Sequence, residues 1–244
     1  IEERLKRLLD IPVMHDDQHG TAAVVLAALI NALKLKHLDK RRARVVISGA
    51  GAAGIAIAKL LLKYGVSDIL MCDRHGLIYK ERRGLNRYKT DIARQTHQGY
   101  ARLLTKNSRR GVTLAECLKG SDVFIGVSAA GLLGADMVRT MNRKPAVFAL
   151  ANPVPEIMPD LARSAGAFIV ASGRSDLPNQ INNALVFPGI FRGALDHRVK
   201  QITDAMLIRA AQNLAACVPV PRPGKIIPSI FSKDVVPAVS RAIR

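Results

Sequence analysis

Two carboxylates stand side by side at Asp16 and Asp17, within the run His15-Asp16-Asp17-Gln18-His19-Gly20-Thr21. Adjacent acids repel unless a proton or a cation comes between them. Hard divalent ions such as Mg²⁺ take oxygen ligands of this kind. The same acids would serve equally well as caps in a solvated loop ahead of a helix. Spacing alone leaves both readings open.

A second constellation is Gly49-Ala50-Gly51-Ala52-Ala53-Gly54, which follows the β-branched run Arg44–Ser48 and precedes an apolar run ending at Tyr64. On a strand–turn–helix unit this pattern serves a dinucleotide. The first glycine permits the tight turn, the second lets a pyrophosphate reach the backbone, and the third lets helix and strand pack closely. The N–H groups of the helix's first turn then face the phosphates. An acid about 20 residues further on is expected to hold the ribose hydroxyls, and Asp73 occupies that place. Arg74 follows it and is the opposing signal, since a guanidinium there grips a 2′-phosphate. On Asp73, the sequence favours NAD over NADP.

Polar residues concentrate twice more. Asn152-Pro153-Val154-Pro155-Glu156 comes directly after the apolar run Ala146–Leu150. Ligands of doubly wound sheets bind beyond the carboxyl ends of strands, where an Asn offers both donor and acceptor. As a turn ahead of two prolines it would need no ligand. Further on, Gly173-Arg174-Ser175-Asp176 leads to Asn179, Gln180, Asn182 and Asn183. These amides serve either a ligand or the backbone of their own loop.

Such groups need a frame. Glu2–Leu9 carries Leu5, Leu8 and Leu9 at helical spacing, and Ile11–Met14 reads as extended. His15–Gly20 reads as a polar loop, with Thr21 capping an apolar, buried helix Ala22–Leu35. Strands are predicted at Arg44–Ser48, Ile69–Cys72, Val123–Val127, Ala146–Leu150 and Ala167–Ala171. Helices are predicted at Gly54–Tyr64, Thr113–Leu118, Met158–Ala165 and Asp204–Ala216. This alternation predicts an α/β, doubly wound parallel sheet, Rossmann-like, with flanking N- and C-terminal helices. The polar stretch Arg74–Gly111 predicts an irregular loop and a helix around Asp91–Leu104. The Pro-rich Val218–Pro228 predicts an extended excursion before a last helix, Val235–Ile243. The chain divides accordingly into an entry segment 1–35, a dinucleotide-binding domain 36–217 and a C-terminal excursion with its helix, 218–244.

Composition narrows the class. Hydrophobic residues make up 49% but aromatic ones only 4%, with no Trp, so Ala, Val, Ile and Leu must build the core. That suits helices packed on a parallel sheet. The longest apolar run, Ala22–Leu35, is interrupted by Asn31 and Lys34 and falls short of the roughly 18 residues of a membrane span. Cys72, Cys117 and Cys217 follow no metal-binding spacing and read as reduced thiols of a cytoplasmic protein. The net charge of +18 raises the question of nucleic acid. The basic residues are scattered, however, and no aromatic residues interleave to stack bases. A solvated basic surface is the simpler reading. Because the first residue is Ile1, the chain is expected to lie inside a longer polypeptide.

Six runs occur in order: IPVMHDDQHGTA, VVISGAGAAGIAIAKLL, CDRHGLIYKER, DVFIGVS, FALANPVPEI and ASGRSDLPNQINNALVFPGIFRGALD. Together they resemble the malic enzyme family, in particular its bacterial-type branch. The resemblance implies oxidative decarboxylation of malate to pyruvate and CO₂, with reduction of NAD or NADP and a requirement for Mg²⁺ or Mn²⁺. It implies that Asp17 is a metal ligand and Asp16 the neighbouring acid of a proton relay. It places Thr21, Gly49, Gly51, Ala52, Gly54, Asp73, Arg74 and Ser128 at the dinucleotide. Asn152 is implied at both substrate and cofactor, and Asn183 at the substrate.

The same resemblance implies a Tyr acid, a Lys base and an acidic pair of metal ligands upstream of Ile1. Tyr64, Tyr79, Tyr88 and Tyr100 lie in the wrong segments to replace that acid. The chain is therefore expected to bind dinucleotide but to be incomplete for turnover. Its expected partners are an upstream malic domain and, in the full-length protein, further copies of itself. Two readings of other classes remain: a non-catalytic dinucleotide-binding or interaction module, and a basic nucleic-acid-binding protein.

Overall fold

A computed structural model of the chain describes residues 1–96 and 111–244. Its strands are β1 (Arg44–Ser48), β2 (Asp68–Asp73), β3 (Gly76–Leu77), β4 (Val123–Gly126), β5 (Ala146–Ala149) and β6 (Ile169–Ser172). They form one sheet in the order β3-β2-β1-β4-β5-β6. Neighbours run parallel except the short β2–β3 pair, which is antiparallel. The order reverses between β1 and β4, which creates a crevice at the carboxyl ends of those two strands.

Both faces of the sheet are covered. Val45, Ile47, Ile125 and Phe148 point to one core, while Val46, Phe124 and Val147 point to the other. Alternation along a strand sends successive side chains to opposite faces, so a strand apolar at every position needs a helical layer on each side. The first layer holds α2 (Asp16–Lys36), α3 (Ala52–Tyr64) and α9 (Asp204–Ala216). The second is built from α5 (Leu114–Leu118), α6 (Ala135–Arg139) and α7 (Pro159–Ser164). The chain opens with α1 (Glu2–Leu8), which has no buried residue.

The largest departure from the sequence expectation is at α2. His15–Gly20 is not a loop, and Thr21 is not a cap: the helix begins at Asp16, with His15 as its N-cap. The first-turn N–H groups of a helix have no internal partners and carry partial positive charge. Asp16 and Asp17 are therefore stable as helix-starting residues, and polarity alone misread them as loop. By length and composition α2 is long and apolar enough to cross a membrane. Instead it lies in the core, with every residue from Ala22 to Leu29 buried. Its one buried amide, Asn31, donates to the carbonyl oxygens of Ala215 and Ile226, each at 2.9 Å.

The other differences are local. The expected helix around Asp91–Leu104 lies partly outside the described residues; α4 (Arg87–Ala93) begins four residues earlier and overlaps its start. The helix α8 (Phe187–Asp196) was not foreseen, because Gly189 and Gly193 weaken helix propensity. They serve packing against α10 (Val235–Ser240): a Cβ on Gly189 would lie 2.6 Å from the Val239 Cβ. The C-terminal excursion is tied down by Asn179, whose amide donates to Val170 and Pro223 and accepts from the Ile226 N–H. Ile226, Ile227, Val239 and Ile243 join the same core as α2.

Candidate functional site

A cleft of about 750 Å³ opens at the crevice between β1 and β4. Its floor is the turn from Ser48 to Gly51, and Ser128 and Ala129 form one wall. Asp73, Arg74, His75 and Lys89 close the far end. The three glycines of the turn play different parts. Gly49 has φ +113°, and a Cβ on it would lie 2.5 Å from the carbonyl oxygen of Val127. A Cβ on Gly54 would overlap the carbonyl oxygen of Gly49. Gly51, by contrast, has nothing within 4 Å of its would-be Cβ. Gly49 and Gly54 are thus required by the fold, whereas Gly51 keeps space open in the cleft. Gly51 is also the N-cap of α3 and no side chain caps that end, so the first-turn N–H groups beginning at Ala52 remain open to an anion.

Asp73 stands at the carboxyl end of β2, as the sequence predicted, but it is heavily engaged. Arg82 Nη2 donates to Oδ1 at 2.7 Å and to Oδ2 at 3.0 Å. Lys89 Nζ donates to Oδ2 at 2.6 Å, and the His75 N–H donates to Oδ1 at 2.9 Å. Burial works to raise the Asp73 carboxyl. The bonds from Lys89, His75 and Arg82 outweigh it and hold the group at about 2. Nothing in the sequence marks Arg82 and Lys89 as its partners. They reach it only because the segment after β3 folds back over the strand end.

Ser128 follows β4, and a buried acid fixes it. Glu156 is fully buried. It accepts from the Ser128 N–H at 2.9 Å and from the Ala151 N–H at 3.0 Å. One carboxylate so bridges the loops after β4 and β5, and Gly126 leaves it room, because a Cβ there would overlap the carboxyl group. The sequence signal was present: an acid between Pro155 and Ile157 in an otherwise apolar run. Asn152 sits in the second of these loops, exposed, and is joined to Pro153 by a cis peptide.

A second polar centre lies at the start of α2. The Asn183 amide donates to Asp16 Oδ2. The other oxygen, Oδ1, is buried with no hydrogen-bond partner. Burial raises the Asp16 carboxyl above its ordinary value, and Asp17 adds to the effect, while the bond from Asn183 opposes it. Gly20 makes this placement possible, because a Cβ there would collide with Asp16 Oδ1. The other amides of the Asn-rich run are spent on structure: Asn182 accepts from the Ala184 N–H, and Asn179 holds the C-terminal segment.

The structure brings Gly49, Gly51, Asp73, Arg74 and Ser128 to one cleft. It brings Asp16 to Asn183. Asp17, Thr21 and Asn152 are joined to neither group. Asp17 is exposed on the first turn of α2, and Thr21 is half-buried within that helix. Among the described residues no group of three or more His, Cys, Asp or Glu is placed to hold a metal ion. Cys72 and Cys117, distant in sequence, approach to 3.5 Å as free thiols.

Comparison with known proteins places this geometry in a family. Residues 18–243 match the family model of the malic enzyme NAD-binding domain. The chain is 51% identical to the bifunctional malic/malolactic enzyme of Bacillus subtilis over 100% of its own length and 58% of that protein. It is 49% identical to the NAD-dependent malic enzyme of Geobacillus stearothermophilus, covering 49% of it. It is also 51% identical to the NADP-dependent malic enzyme of Rhizobium meliloti, over 88% of this chain and 27% of that one. The chain thus spans little more than half of these relatives at most. The crystal structure of the NAD-dependent malic enzyme of Thermotoga maritima superposes with a TM-score of 0.91 at 46% identity, over 99% of this chain and 62% of that one. A glycine turn opening at the β1–β4 crevice, an acid at the end of β2 and a match along almost the whole chain lead to one conclusion: the chain belongs to the malic enzyme family, as its NAD(P)-binding domain.

Proposed function

We propose that this chain is the dinucleotide-binding portion of an enzyme that oxidises malate with NAD(P) and decarboxylates the product to pyruvate. The observation that carries the reading is the open face of Gly51 at the uncapped start of α3, set in a cleft wide enough for a dinucleotide. The α3 N–H groups bind the pyrophosphate. Ser128, held by Glu156, borders its path, and Asn152 on the adjoining loop serves the nicotinamide and substrate end. Asp16 and Asn183 form one hydrogen-bonded unit. Its orphaned oxygen suits a substrate hydroxyl or a relayed proton.

The described residues do not make a metal site by themselves. Asp17 fits as a single hard-oxygen ligand of Mg²⁺ or Mn²⁺, and the remaining ligands belong to an upstream malic domain. When bound, such an ion supplies Lewis-acid stabilisation of charge as CO₂ departs. The Tyr acid and Lys base are assigned to the same upstream domain, so this portion alone binds dinucleotide without ordinary turnover. Assembly into a homo-oligomer and a cytoplasmic setting, which suits three free cysteines, complete the reading.

The test is malate-dependent NAD(P)H formation by the full-length protein in Mn²⁺, compared with its Asp17→Ala variant. Turnover that falls by about 100-fold or more in the variant, as loss of a metal ligand predicts, supports the reading. A variant that keeps its rate at low Mn²⁺ removes Asp17 from the metal site.

A further inference from the structure

The ribose end of the cleft carries a charge pattern that runs against the sequence expectation of NAD. A carboxylate has about four lone-pair sites. Asp73 already accepts four contacts from three donor groups: two from Arg82 Nη2, one from Lys89 and one from the His75 N–H. A ribose diol that would donate to this carboxylate finds no free acceptor on it. Making room would mean pulling a cation from a pair whose side chains are only 7% (Asp73), 14% (Arg82) and 24% (Lys89) exposed.

The cations are not all spent in the same way. Arg82 is consumed, since its Nη1 also donates to the carbonyl oxygens of Gly76 at 3.1 Å and Leu77 at 3.0 Å. Lys89 is not. An ammonium has three donors, its one hydrogen-bonded partner among the described residues is Asp73, and its side chain lines the cleft. Arg74 also lines the cleft, exposed. Its Nε contacts His75 Nε2 at 3.0 Å, and its terminal nitrogens make no hydrogen bond or ion pair among the described residues. One internally compensated acid therefore faces three cations, two of which keep donors turned to the ligand space. Acceptor oxygens carrying negative charge complete such a site with charge-assisted bonds on both sides, whereas a neutral hydroxyl accepts more weakly.

We propose that this end of the cleft binds an adenosine 2′-phosphate, with Arg74 and Lys89 as its ligands and Asp73 as the residue that positions Lys89, which makes NADP the preferred cofactor. The proposal deepens the dinucleotide reading above and rests on it.

Fluorescence titration of the full-length protein with NADPH and NADH tests it, together with displacement by adenosine 2′,5′-bisphosphate and by adenosine 5′-monophosphate. NADPH should bind about tenfold or more tightly than NADH, as expected for charged hydrogen bonds. The bisphosphate should exceed the monophosphate by a similar factor, with a preference that shrinks as salt rises. Arg74→Ala and Lys89→Gln should each reduce that preference severalfold, and the two together should erase it. Equal or tighter binding of NADH overturns the proposal and leaves the dinucleotide site intact. A folded protein that binds neither NADPH nor NADH overturns both readings.

Discussion

Asp73 at the ribose end of the cleft and Asp16 at the first turn of α2 are both acids drawn away from water, and their surroundings differ in kind. Asp73 accepts from two cations and a backbone N–H and is held at about 2. Asp16 has one oxygen bonded by Asn183 and the other buried without a partner, and burial pushes its carboxyl up. Water could have solvated either group at lower cost. A completed polar cluster behaves as architecture, because every member is satisfied before a ligand arrives. An incomplete one is a local expense that the fold tolerates for function. The first acid is thus occupied by its cationic neighbours, while the second keeps one oxygen without a partner.

The comparison can be broken most easily at Asp73. Asp73→Ala leaves Arg82 and Lys89 without their counter-charge and loosens the Arg82 hold on Gly76 and Leu77. Removing one partner of a largely buried ion pair should lower unfolding free energy by about 3 kcal/mol in a urea titration. A loss under about 1 kcal/mol would make the cluster no better than an exposed ion pair.

Acidification sharpens the same point with a smaller effect. The folded value of Asp73, about 2, lies below the ordinary carboxylate value. Its stabilisation is therefore complete above about pH 4 and is lost as pH falls towards about 2. Unfolding free energies measured from pH 5 to pH 2 should show this decline. Asp73→Asn should lack that component, and identical slopes in the two proteins would contradict it.

The smallest effect is expected at Asp16, with the opposite sign. Asp16→Asn removes a charge that burial disfavours and keeps a partner for Asn183. It should stabilise the fold at neutral pH by about 1 kcal/mol, or roughly 2–4 °C in melting temperature, while impairing turnover. A lower melting temperature would show that the Asp16 charge is compensated after all.

Much of the fold was legible because it depends on local pattern. Arg44–Ser48 is a strand and Gly49–Gly51 the turn into α3 because the β-branched run and the glycine spacing act within a few residues. Asp204–Ala216 is the predicted helix to the residue. The start of α2 was not legible, since the positive end of a helix stabilises two acids that polarity alone assigns to a loop. Nor was α8, where two glycines that weaken a helix in isolation are what let another helix pack against it.

The sequence by itself determined the doubly wound sheet, the dinucleotide turn and the acid at the end of β2, because periodicity and spacing specify them within one unit of structure. Only the tertiary structure decided what each acid meets. Asp73 finds its partners 9 and 16 residues along the chain, and Asp16 finds Asn183 at a separation of 167. The opposite directions in which the two carboxyls are shifted are set by those partners and by burial, since a carboxylate's chemistry follows the donors and charges packed around it.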